Sequence, residues 1–488
     1  MIPVLLIVIP LLSGLAGFFI KSQDAAKRWS LFASLAVLLV SLLGLTVFNS
    51  YEHLHADVEW MPSLGSNFSL SLDGMGQMLA LLTALAFPIV FISTYRSTYF
   101  RPGNFYALML LSQAGLMGVF LSVDALLFYF FWELALIPTY FLCSIWGGER
   151  RIAVTFKFFL YTFIGSLLML VGIIYIYSKT PDQSFALTSF YNVKLGFAQQ
   201  NWLFWLMFAA FAVKMPVFPF HTWQPDTYEQ SPTATTMILS GVMVKMGVFG
   251  VIRWLVPVLP IASWAWGDTV SILCVIGMIY ASILAMRQDD MKRLIAYSSI
   301  AHIGLMCLAI FASNNSGMQG VMVQMFNHGI NIIGLWIAVE LIEREFGTRK
   351  MSELGGLAQT APVLSIFFVI VALANVALPL TNGFIGEFLM FNGVFNSEVT
   401  KYNAVFATLA VITVILSAVY TLNMIQKVFF GNTNNLTARA KDIFLNEKMI
   451  LAVIVILILV IGVYPKPMLE LTQSTVDNIL SRMIIKHP

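Results

Sequence analysis

About fourteen apolar stretches, each near 20 residues long, follow one another along this chain, most separated only by short polar turns. A bilayer core of about 30 Å takes about 20 residues of α-helix. The stretches fall near 1–20, 29–49, 75–95, 105–121, 124–146, 154–178, 201–220, 232–252, 269–286, 294–312, 317–341, 364–390, 403–430 and 449–465. The expected fold is an all-α polytopic membrane protein with about 14 transmembrane helices. Only 10% of the residues are charged, against about 25% in an ordinary soluble domain, and nothing reads as a soluble catalytic domain, a nucleotide loop or a redox centre.

The first stretch has no basic residue before it and no clear small-residue cleavage site after it, so it reads as a retained helix rather than a signal peptide. With an even count of spans and the N-terminus outside, 18 of the 27 lysines and arginines fall on the inside, and seven outside: Lys179, Lys194, Arg253, Lys401, Lys466, Arg482 and Lys486. Lys214 and Lys245 lie within spans. That split follows the positive-inside rule and puts both termini outside. Cys143, Cys274 and Cys307 are scattered through apolar runs and support neither a disulfide framework nor a metal cluster. His53 and His55, in the outside segment 51–74, have a spacing a metal could use, but the segment offers no further ligands.

Six ionisable residues sit where lipid should forbid them. Glu133 lies about ten residues into the fifth span, whereas Asp124 and Asp73 can be explained as helix caps. Lys214 closes the seventh span in Lys214-Met-Pro-Val-Phe-Pro-Phe-His221. Pro216 and Pro219 there remove backbone donors and clash with the carbonyls four residues back, so those of Ala212 and Met215 should lose their usual partners. Such a break is tolerated only beside a polar cavity or another helix. Lys245 is central in the eighth span, too deep to snorkel, among Gly241, Gly247 and Gly250, which permit close helix approach. His302 and His328 occupy the tenth and eleventh spans, and Gln324, His328 and Asn331 share one face of the eleventh. Glu387 follows a second break around Pro379 and Gly383 in the twelfth. After the first break, His221, Asp226 and Glu229 form a polar inside stretch that could gather protons or merely face solvent.

Glu133 precedes Lys214 by 81 residues and His302 precedes Glu387 by 85. These offsets suggest a duplicated unit of five helices, and five being odd, the second copy is inverted in the membrane. The expected organisation is 1–104 (helices 1–3), 105–252 (first repeat, helices 4–8), 269–430 (second, inverted repeat, helices 9–13) and 431–488 (helix 14 and an amphipathic tail), with discontinuous helices 7 and 12. A charge at the bilayer centre costs at least about 2.5–3.5 kcal/mol, so six of them are hard to justify as filler. Histidine relays protons through both ring nitrogens, and burial and a neighbouring carboxylate pull a lysine's proton affinity in opposite directions. The residues point to proton transfer through two related half-channels.

At these residues the chain resembles the antiporter-like membrane subunits of respiratory NADH-quinone oxidoreductase. The motifs are Phe-Tyr-Phe-Phe-Trp-Glu133, Val-Lys214-Met-Pro-Val-Phe-Pro-Phe-His-Thr-Trp-Gln-Pro-Asp, Val-Lys245-Met-Gly, Ala-Tyr-Ser-Ser-Ile-Ala-His302, Asn-His328-Gly and Asn-Gly-Phe-Ile-Gly-Glu387, over nearly the whole length. The family's usual leucine between Trp223 and Pro225 is here Gln224. Glu387 resembles the subunit M branch, since the L and N branches and the antiporter relatives usually carry lysine there. The resemblance implies that Glu133, Lys214, Lys245, His302, His328 and Glu387 form a hydrophilic axis in which Lys214 pairs with Glu133, Lys245 links the halves and Glu387 ends the path toward the outside. It further implies proton translocation with no cofactor in this chain, NADH, FMN, iron–sulfur clusters and quinone being held by other subunits. Partners would be sibling subunits L and N and membrane lipids, with no nucleic acid. The absence of a targeting segment favours a bacterial inner membrane. The competing readings are a subunit of a Na+/H+ antiporter and a purely structural spacer.

Overall fold

The computed structural model of the chain describes residues 1–483; Lys486, counted among the outward basic residues, lies outside them. Helices dominate. In chain order they are α1 (Ile2–Gly17), α2 (Gln23–Thr46), α3 (Gly74–Ser93), α4 (Pro102–Leu121), α5 (Ala125–Trp146), α6 (Arg151–Tyr177) and α7 (Phe197–Lys214). Then come α8 (Thr233–Leu255), α9 (Pro260–Met286), α10 (Met291–Phe311), α11 (Asn315–Phe346), α12 (Pro362–Asn375), α13 (Asn382–Phe395), α14 (Asn403–Phe429), α15 (Leu445–Val463) and α16 (Lys466–Met483). Eleven described helices are long and apolar enough to cross a membrane. The other expected spans correspond to α1, to α7 and to the pair α12 and α13, which are short or interrupted.

Burial sorts the helices into layers. The most apolar 18 residues of α8 and α10 are wholly buried and those of α11 94% buried, whereas α2, α6 and α14 bury only a third to two fifths of theirs. A helix apolar on all sides belongs in the centre, so these three form the core pillar. Around them α9 packs on α10 and α14, α11 on α12 and α13, and α4 on α1 and α5. Asp73 caps α3 through the Gly76 amide at 2.9 Å, and Asp124 caps α5 through the amides of Leu126 and Leu127 at 3.0 Å, as their positions suggest.

Four details differ from the sequence expectation. Residues 51–74 hold an antiparallel hairpin, β1 (His55–Met61) and β2 (Ser66–Ser71), turned at Gly65 with φ 68°. Its signal was the period-two alternation of Ala56, Val58 and Trp60. The polar stretch after the first break, open in sequence to a loop or a re-entrant segment, folds as a short helix, Gln224–Gln230. At that break the Ala212 carbonyl is not orphaned, because the Val217 amide donates to it at 2.9 Å. The Trp223 indole donates to the neighbouring Val213 carbonyl at 2.9 Å. Finally, α8 contains two π-helical turns, Leu239–Met243 and Val251–Leu255, on either side of Lys245.

The second break, between α12 and α13, is closed by backbone bonds, Leu378 N–H to the Leu373 carbonyl at 3.1 Å and Ala377 N–H to the Ala374 carbonyl at 3.2 Å, and by side chains. Asn331 Nδ2 donates to the Ala374 carbonyl at 3.3 Å and Asn327 Nδ2 to the Asn382 carbonyl at 2.7 Å. Ala377 and Leu380 there adopt left-handed φ of 60° and 74°, conformations that cost energy for residues with a Cβ and persist where the surroundings impose them. Close approach of α8 to the end of α7 depends on Gly247, where a Cβ would lie 2.6 Å from the Phe211 carbonyl oxygen.

Candidate functional site

The central pillar carries the second half of the expected axis. Lys245, fully buried on α8, places Nζ 2.7 Å from the Ser240 carbonyl and 2.8 Å from His328 Nδ1 on α11. The carbonyl it uses belongs to the first π turn; such turns free backbone groups and recur at functional sites. A lysine ammonium only donates, so His328 accepts at Nδ1. The rings of His328 and His302 follow, 5.5 Å apart between centroids. His302 on α10 places Nδ1 3.0 Å from Glu387 Oε1 on α13. His302, His328 and Glu387 are all buried, and the Nε2 atoms of both histidines have no partner among the described residues. Four ionisable groups from four different segments thus form two close pairs in sequence, the Lys245–His328 hydrogen bond and the His302–Glu387 contact.

The first half is looser. Lys214 is buried at the end of α7, and its Nζ has no hydrogen-bond partner among the described residues. It lies 5.5 Å from the centroid of the Trp132 ring, a cation–π distance. Glu133, next along α5, is half-buried with Oε1 unpartnered. The structure brings Glu133 and Lys214 to the same region but not into a contact ion pair among the described residues. Trp132 as the lysine's neighbour was not anticipated, although it adjoins Glu133 in the motif.

The carboxylates after the first break are half-buried and paired with cations. Asp226 pairs with Lys157 at 3.0 Å and Arg293 at 3.2 Å; Glu229 pairs with Arg293 at 2.7 Å and more distantly with Arg150 and Arg349. Arg349 continues the network to Asp290 at 2.5 Å and Glu343 at 2.8 Å. Burial works against the Arg349 charge, but Asp290 and Glu343 outweigh it and push its pKa above the ordinary value. This cluster ties the segment after the break to the ends of α6, α10 and α11. His221 is buried against Phe218 and Tyr280. His53 and His55 rest on Phe48 and Tyr51, and no group of three or more potential metal ligands occurs among the described residues.

This geometry describes a row of ionisable groups buried within a helical bundle. Residues 122–417, a segment containing all six, match the family model described as NADH:quinone oxidoreductase/Mrp antiporter, TM. The NADH-quinone oxidoreductase subunit M of Rickettsia typhi is 36% identical, over 97% of this chain and 97% of its own. The chain belongs to the NADH-quinone oxidoreductase subunit M family. A chain of the solved respiratory complex I from Thermus thermophilus with bound NADH matches with a TM-score of 0.92 at 26% identity, covering 99% of this chain and 100% of that one. A chain of the Mrp complex from Dietzia sp. reaches 0.87 at 19% identity, covering 99% of each. The backbone is therefore shared with antiporter complexes, and the subunit M assignment rests on sequence.

Proposed function

We propose that this chain translocates protons in the membrane arm of an NADH-quinone oxidoreductase, with electrons passing from NADH to quinone in other subunits. The observation that carries this reading is the buried sequence Lys245–His328, His302–Glu387. Lys245 passes a proton to His328 Nδ1, becoming neutral while the imidazole becomes imidazolium. The Nε2 proton of His328 then moves toward His302, and His302 Nδ1 delivers to Glu387; both histidines are neutral again, and Lys245 and Glu387 recover their charges when Lys245 takes up the next proton and Glu387 releases its own. Glu133 and Lys214 serve the other half-channel, and closer approach of Glu133 favours the charged lysine.

In this reading the chain crosses the membrane about fourteen times with both termini outside. Its organisation is 1–104, the repeat 105–252, the inverted repeat 269–430 and the end segment 431–488. It sits in a bacterial inner membrane beside subunits L and N and holds no NADH, FMN, iron–sulfur cluster or quinone itself. The second reading, a subunit of a Na+/H+ antiporter, draws on the fold shared with the Mrp complex. The two separate in membranes carrying Glu387→Gln and, separately, Lys214→Ala. If NADH oxidation and proton pumping fall together at normal abundance of the complex, the proposal holds; if NADH oxidation persists while sodium-driven proton exchange collapses, the antiporter reading replaces it.

A further inference from the structure

The Glu387 end of the row faces a small cavity of about 10 Å³, lined by His302, Glu387, Thr413, Ser417 and Tyr420. Along the same helices lies a second cavity of about 20 Å³, lined by Asp268, Ser271, Ser397, Thr400, Leu308 and Phe311 among others. A water needs about 10–15 Å³, so each has room for about one molecule. The second cavity shares Ala312, Ser313, Val399 and Thr400 with a vestibule of about 750 Å³ that reaches the exposed Glu398 and Lys401. Both small cavities are built on α10, α13 and α14. Glu387 in the first and Val394 in the second are seven residues apart on α13, as are Thr413 and Phe406 on α14, which separates them by about 10 Å at 1.5 Å per residue.

At the levels between Glu387 and Val394 these helices carry the buried apolar Leu305, Leu308, Met390 and Ala410, Leu305 closing the inner cavity and Leu308 the outer one. Protons do not cross such a gap without a hydrogen-bonded chain, and apolar constrictions in channels gate by excluding water. Asp268 stands half-buried on the far side of the gap, with no hydrogen bond or ion pair among the described residues. Among the described residues it is the one carboxylate lining this cavity, beside the hydroxyls of Ser263, Ser271, Ser313, Ser397 and Thr400 and an apolar remainder.

We infer that the proton released by Glu387 leaves through this outer cavity, that Asp268 is the last side chain to carry it, and that Leu305 and Leu308 are the apolar gate closing the route in this structure. The inference rests on the proposed proton translocation and adds the exit. When the gate wets, the Glu387 carboxyl gives its proton to water and becomes a carboxylate. The Asp268 carboxylate takes a proton from that water chain and releases it into the vestibule, so both groups recover their charge.

The test uses the whole complex in native membranes, with Glu387→Gln measured in parallel. Asp268→Asn removes the carrier. Gly267→Leu fills the outer cavity from a position where an added Cβ meets only a Phe311 ring carbon at 3.7 Å, and leucine is the better helix former, so this variant blocks without unfolding. Both are expected to lower redox-driven pumping at least threefold at normal abundance of the complex. Leu308→Ser is expected to lower the protons pumped per NADH at least twofold, through back-leak. If Glu387→Gln stops pumping while Asp268→Asn and Gly267→Leu pump at the native rate, the exit is refuted and the function stands; an unchanged ratio in Leu308→Ser refutes the gate. If Glu387→Gln itself pumps normally, the function fails first. Should Gly267→Leu not assemble, Asp268→Asn decides alone.

Discussion

Replacing Lys245 by methionine separates a structural lysine from a proton-carrying one. The ammonium makes two buried hydrogen bonds, to the Ser240 carbonyl at 2.7 Å and His328 Nδ1 at 2.8 Å. Methionine keeps an unbranched stem and removes both. A hydrogen bond to a charged group contributes about 1.5–3 kcal/mol, so the loss is about 3–6 kcal/mol. Against that, a charge no longer has to be held in the middle of the membrane, which returns at least about 2.5–3.5 kcal/mol. The two effects oppose each other, leaving a net change between about 0.5 kcal/mol of stabilisation and about 3.5 kcal/mol of destabilisation, small enough for the chain to assemble. Pumping has no such compensation, because a thioether carries no proton and His328 loses its donor. The expected result, from native gels and fluorescence quenching in inverted vesicles, is complex abundance within twofold of normal and a pumping rate down at least tenfold, equivalent to about 1.4 kcal/mol or more of barrier. The companion Lys245→Arg keeps the positive charge, but a guanidinium does not release its proton, so it too should fail to pump. Normal pumping by either variant at normal abundance would refute the role given to Lys245.

Two further predictions concern the scaffold. Asn327→Leu and Asn331→Leu each leave a backbone carbonyl at the α12–α13 break without its side-chain donor; each should destabilise by about 1–3 kcal/mol, read as a lower thermal transition of the detergent-solubilised complex, and an unchanged transition would show that the break holds itself. Gly247→Val should push α8 off the Phe211 carbonyl and cost about 1–3 kcal/mol by overpacking, seen as reduced abundance, whereas Gly267→Leu should not lower abundance.

The positions of the spans and of the two breaks were legible because apolar run length and proline act locally. So were the six ionisable residues, since each stands out against its own helix. What joins them was not legible. Lys245 meets His328 across 83 positions of sequence, and Arg293 meets Glu229 across 64; no local pattern encodes such meetings. For that reason Asp226 and Glu229 read as free carboxylates when they are engaged by arginines. The π turns flanking Lys245 leave no residue signature, and the hairpin at 55–71 was overlooked because a short amphipathic alternation is faint beside long apolar runs. Trp132 stands 5.5 Å from Lys214 beside the expected partner Glu133, a neighbour that only the three-dimensional arrangement of α5 and α7 could reveal.

The central claim is that Lys245, His328, His302 and Glu387 work as one conduit. The measurement that tests it most directly is a double-mutant cycle on redox-driven pumping: His302→Gln, Glu387→Gln and both together, with complex abundance followed in each. Residues acting as a unit are strongly non-additive, so the double variant should pump no more slowly than the slower single one. Independent, multiplicative losses, or native pumping in either single variant, would contradict the account.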